Sequence, residues 1–146
     1  MDAAGSVRFD FRGSLDLARS LWRLADDVDQ LLSSRASTAS TALNSWSGRF
    51  AQQFAERAND EQSIGATLVQ LLRSDAHGWS QAWTAAMDEQ NRVLYAQEKK
   101  RVENDRSNLD KIGGFFTGHD DLPPMPRSAA VPQSPYFFPT RSFVRY

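Results

Sequence analysis

Cysteine is absent from the 146 residues, which removes disulfides, thiolate metal sites and a cysteine nucleophile together. A fold without such staples rests on packing. Proline is missing from the first 122 positions: all six (Pro123, Pro124, Pro126, Pro132, Pro135, Pro139) lie near the C-terminus, so nothing of that kind breaks a helix earlier. An excess of one charge is missing too. The 17 Lys and Arg nearly balance the 18 Asp and Glu, and they are interspersed, which disfavours nucleic-acid binding. No apolar run approaches the roughly 20 residues that a membrane helix needs, so membrane insertion is not expected. Residues 1 to 10 show no basic head followed by an apolar core. The expectation is a cytoplasmic protein that, when secreted, leaves without a cleavable signal peptide.

Groups for chemistry are equally scarce. Histidine is limited to His77 and His119, and neither has companions at metal-ligand spacing. The Ser-rich run from Ser33 to Ser45 has no nucleophile elbow, and there is no phosphate loop. The reading is therefore of a non-enzymatic protein with no catalytic residue, no cofactor and no metal.

What the chain does contain is helical periodicity. Ser14 offers a side-chain oxygen ahead of the pattern, with Asp16 in the first turn, and predicts an N-cap there. Leu17, Leu21, Leu24, Val28 and Leu31 then step by four, three, four and three, with Ala18, Trp22, Ala25 and Leu32 beside them. That is a wide apolar stripe on one helix. Small residues at Ala36, Ala39 and Ala42 carry it to about Leu43. Asn44 to Gly48 supplies terminators, since Asn and Ser compete for local hydrogen bonds and Gly tolerates a positive φ. Beyond it Phe50, Phe54, Ala58, Ile64, Leu68, Leu71, Trp79, Trp83 and Met87 resume the helical step.

The fold class predicted is all-α, an antiparallel helical hairpin, because two long helices joined by so few residues must fold back. Asp75 to Gly78 is the expected kink. A charged helical extension runs from Gln97 toward Gly113. Three segments result: an arm at 1-13, the hairpin with its extension at 14-112, and an irregular Pro- and aromatic-rich tail at 113-146. Tyr136, Phe137, Phe138 and Phe143 make that tail too aromatic for an ordinary disordered linker, and they predict docking, on its own helices or on a partner.

The width of the stripe raises the question of what covers it. A lone pair of helices buries only the facing sides, and ordering costs about 1.5 kcal/mol per residue against about 1.5 to 3 kcal/mol for each large apolar side chain fully buried. Two solutions are open: a four-helix assembly with a partner, or cover supplied by residues 97 to 146. The pairing face predicted is Leu17, Leu21, Leu24, Val28, Leu31, Phe50, Phe54, Ile64, Leu68, Leu71, Trp79 and Trp83.

Trp46-Ser47-Gly48 at the break, Phe50 and Phe54 just after it, and the amphipathic helix before it resemble the WXG100 (ESAT-6-like) family over roughly residues 10 to 95. The resemblance implies a helical hairpin that pairs as a homodimer or heterodimer with another WXG100-like protein and is handled by a type VII secretion ATPase. It makes Trp46 and Gly48 a secretion or recognition corner. Read from the residues alone, Trp46 is a plug closing the hairpin, and the two roles are compatible. The family's Tyr-x-x-x-Asp/Glu step is missing: Lys99 stands four residues beyond Tyr95, and Phe116 to Asp120 is only an aromatic substitute. A partner would then bring the missing signal. Two other readings fit the same chain: a cytosolic adaptor or chaperone for a larger WXG-domain toxin, and a structural subunit of a helical assembly.

Overall fold

The computed structural model describes residues 6-112, 124-134 and 137, with side chains in the long helix described up to Asn108. Two helices account for the fold, α1 (Phe11–Asn44) and α2 (Arg49–Ile112). They are antiparallel neighbours, as pairs along them show: Arg35 bonds Glu61, Leu32 packs on Gly65, Arg73 bonds Asp26, and the ring of Phe11 meets that of Trp83.

Helix α1 begins four residues earlier than the sequence predicted, its cap being Asp10 rather than Ser14. Asp10 is the N-cap, its carboxylate accepting the Gly13 N–H at 2.8 Å. Ser14 is instead buried inside the first turns, with Oγ donating to the Phe11 carbonyl at 3.2 Å. The reason lies in packing: Phe11 stacks edge-on against Phe9 and Trp83, and that contact draws it into the helix, where Asp10 serves as the cap. The Ser/Thr-rich stretch is helical, and Ser33, Thr38 and Thr41 satisfy their hydroxyls within it, on the carbonyl four residues back.

Helix α2 is a single helix of 64 residues. It continues without a break across Asp75 to Gly78, where the sequence predicted a kink. At about 1.5 Å per residue it greatly outruns α1. Its partner helix ends near Trp83, and the later residues carry ion pairs along the helix, such as Arg101 with Asp105 and Lys99 with Glu103.

Two clusters hold the hairpin together. One gathers Leu15, Ala18, Ala76, Trp83, Met87, Ala129 and Phe137, with Phe9, Phe11, Leu21 and Trp22 against it. The second gathers Ala25, Leu32 and Val69, with Val28 and Leu72. The facing residues are mostly small, so the helices approach closely. At Gly65 the approach leaves no room for a side chain: a β-carbon there would overlap both methyls of Leu32.

Candidate functional site: two flanks of the hairpin

The seam between the helices follows Ala18, Ala25 and Leu32 on α1 and Val69, Ala76 and Trp83 on α2, all buried. Each α-helical step turns about 100°. Leu17, Leu24 and Leu31, one step before the α1 seam, therefore lie on one flank, and Arg19, Asp26 and Ser33, one step after it, lie on the other. The same rule on α2 sends Leu68 to one side of Val69. Arg73 lies on the opposite side of α2, and its Nη2 bonds Asp26 at 3.0 Å with Asp29 at 3.7 Å. That ion pair fixes the correspondence. Leu17, Leu24 and Leu31 share a flank with Ile64, Leu68, Leu71 and Trp79.

This first flank is open. Leu24 is 49% exposed, Leu31 58%, Ile64 72% and Leu71 58%, with Leu17, Leu68 and Trp79 also exposed. Leu21 and Val28 sit at its inner edge, half-buried. Of the expected pairing face, Trp83 belongs elsewhere: at 3% exposure it is part of the hairpin's own core. Its neighbour Trp79 is one turn away and points outward.

The second flank is covered by the C-terminal segment. Ser128 Oγ donates to Asp88 Oδ2 and the Ala129 N–H donates to Asp88 Oδ1, both at 2.7 Å. Arg19 Nη2 donates to the Phe137 carbonyl at 3.0 Å. Phe137 itself is fully buried and meets Trp22 edge-on at 6.0 Å between ring centroids. Behind that indole stands the Arg73 guanidinium, 5.2 Å from the ring centre, in cation–π geometry. Its Nε is buried without a hydrogen-bond partner among the described residues. Asn91 and Tyr95 line, with Asp88, a cavity of about 210 Å³ beside Met125 to Ser128.

The corner lies between the end of α1 at Asn44 and the start of α2 at Arg49. Ser45 ends α1, with its N–H on the Ala42 carbonyl and the Trp46 N–H on the Leu43 carbonyl, and Gly48 takes φ +92°, the one positive φ among the described residues. The Gln52 N–H then closes the first bond of α2 on the Gly48 carbonyl. Trp46 lies 5.6 Å from the Phe54 ring yet remains 50% exposed, and Phe50 is 74% exposed. Trp46 is thus only half a plug. Next to this end Arg35 grips Glu61 in a two-pronged pair, one prong at 2.9 Å. The guanidinium's hydrogen bond, and secondarily its charge, lowers the Glu61 pKa.

Of the tail aromatics, Phe137 is buried; Tyr136, Phe138 and Phe143 lie outside the described residues, as do His119 and the segment Phe116 to Asp120. His77 is exposed on α2. No group of metal-ligating side chains occurs among the described residues, and no described helix is long and apolar enough to cross a membrane. Sequence reasoning missed Arg19 and Asp88 as anchors, since each looked like one more charge on a solvated face. Compared with models of known families, with curated proteins and with solved structures, the chain gives no match.

Proposed function

We propose that this chain is a WXG100-like pairing protein of type VII secretion, working by helix-on-helix contact. The observation that carries the reading is the open flank, where Leu17, Leu24, Leu31, Ile64, Leu68, Leu71 and Trp79 are exposed side by side on both helices. A continuous aliphatic face of this kind marks an interaction site. A second hairpin laid against it gives the four-helix bundle in which such faces are buried. The partner is a second copy or another WXG100-like hairpin, and a larger WXG-domain toxin presents the same kind of surface.

The corner supports the family side of the proposal. Trp46 and Phe54 form an exposed aromatic pair at the hairpin's tip, available to a secretion ATPase or to a partner's signal. Gly48 sets the backbone there through its positive φ. Export is the test. In a strain lacking the secretion ATPase the protein should accumulate in cells and vanish from the culture supernatant; equal export with and without the ATPase overturns the assignment.

A further inference from the structure

The flank opposite the open one carries a built site that pairing does not use. Its occupant is the segment from Pro124 to Ser134 together with Phe137, non-helical and crossed by prolines that favour extended backbone. It is held at two places. At one, the Asp88 carboxylate takes both the Ser128 hydroxyl and the Ala129 N–H, and the small Ala129 side chain is buried beside it. At the other, Arg19 donates to the Phe137 carbonyl while the ring fills a buried seat by Trp22. Two of these three polar bonds read main chain. The side chains are read by size, a methyl at one end and an aromatic ring nine residues after the serine.

The seat belongs to the hairpin rather than to the segment. Arg73, tied to Asp26, backs the Trp22 indole, Asp16 pairs with Arg19 at 2.7 Å, and both ties join helix residues to helix residues. Beside the segment, sharing Arg19, an open groove of about 350 Å³ runs on between Phe11, Leu15, Trp83 and Met87. Main-chain capture of an extended segment plus a pocket for a spaced side chain is the pattern of peptide recognition.

We infer that this flank is a peptide-recognition groove whose ligand is an extended peptide presenting Ser-Ala to Asp88 and an aromatic residue nine positions after the serine to the Trp22 seat. The chain's own C-terminal segment fills it in cis and keeps it closed to other peptides. A tethered ligand acts at an effective concentration of about millimolar, so a free peptide competes poorly until the tether's anchors are weakened.

The probe is a fluorescently labelled peptide with the sequence of residues 124 to 137, titrated by anisotropy into the full chain. The Phe137→Ala chain should bind it at least tenfold more tightly than the unaltered chain does. Adding Asp88→Ala or Arg19→Ala to that chain should cost at least fivefold, and a peptide with alanine at its phenylalanine should bind at least tenfold more weakly. If Phe137→Ala loses helix by circular dichroism, Ser128→Glu opens the same site by setting a carboxylate against Asp88, and is read the same way. A well-folded opened chain that binds no better than the unaltered one, or that ignores the loss of Asp88 and Arg19, overturns the inference.

Discussion

On the flank of Arg19, Asp26 and Asp88, the large side chain beside the seam, Trp22, has a neighbour supplied by the chain itself: Arg73 on one face and Phe137 at its edge. On the flank of Leu24 and Leu68, seven large apolar side chains stand in solvent with nothing from the described residues laid over them. Both flanks are apolar next to the seam, so hydrophobicity alone does not explain the difference. Polar anchors do. The covered flank has charged groups one step from the seam that catch main-chain atoms of an extended segment. The open flank has leucine at each equivalent α1 position and offers an irregular segment no partner for its N–H and C=O groups. An unpaired backbone group buried there costs about 1 to 3 kcal/mol. A helix, whose backbone is already satisfied, covers such a face without that cost.

Charging the open flank should have the largest effect. Leu24→Asp with Leu68→Asp should leave helix content unchanged, since both side chains are exposed, and should weaken self- or partner association by at least a hundredfold. The expectation follows from about 1.5 to 3 kcal/mol for each leucine buried on pairing. Sedimentation across a dilution series reads it. An unaltered chain that is monomeric at high concentration and captures no hairpin partner would leave the open flank unexplained by pairing.

The covered flank is tested next, by exchange of the Ala129 amide, which is bonded to Asp88. Phe137→Ala removes a fully buried ring and should lower docking of the segment by about 3 kcal/mol. Amide exchange at Ala129 then speeds up by about 100-fold or more. Phe50→Ala, at a position 74% exposed, should leave that rate unchanged.

Much of this arrangement is legible in the chain. The three-and-four spacing from Leu17 to Leu32 marks α1, and its resumption after Phe50 marks α2, because such spacing is a local consequence of helix geometry. The apolar stripe also implied that something beyond the second helix must cover it. Which part of the stripe faces inward was not legible. The seam uses the small residues Ala18, Ala25 and Ala76, whereas periodicity weights large ones, so Leu24 and Leu31 looked as central as Leu32. Asp88 and Arg19 were hidden for a different reason: their partners lie 40 and 118 positions away, and no local rule connects a helix charge to a distant carbonyl or hydroxyl. The cap moved from Ser14 to Asp10 because an aromatic contact at Phe11 outweighed an equally good capping residue.

Glycines sharpen the contrast between the seam and the outside at a smaller scale. Gly65→Ala places a β-carbon against both methyls of Leu32, and the overpacking should exceed the gain in helix propensity, for a net loss of about 1 kcal/mol. Gly78→Ala meets nothing within 4 Å and should stabilise by about 1 kcal/mol, through propensity alone. Urea midpoints of the two variants should move in opposite directions. Equal shifts of one sign would mean that the close approach at Gly65 is relieved at no cost.

The smallest effect concerns the ion pair near the corner. Arg35 depresses the Glu61 pKa, first by hydrogen bonding and then by charge, so the carboxylate is stabilised in the folded chain relative to the unfolded one. That contribution is fully present above the ordinary glutamate value of 4.5 and is lost as pH falls through the depressed value. Arg35 remains charged throughout, its own pKa being raised by the same pair. Both side chains are solvent-exposed, so the gain is modest and screened by salt. The melting temperature of Glu61→Gln should therefore lie slightly below that of the unaltered chain at pH 7 and low salt. The gap should narrow as the pH falls below 4.5 and through the depressed Glu61 value, and should close on addition of about 1 M salt at pH 7. A gap that survives 1 M salt would show that Glu61 is shielded in solution, as it would be if the partner covering the open flank extended as far as Arg35.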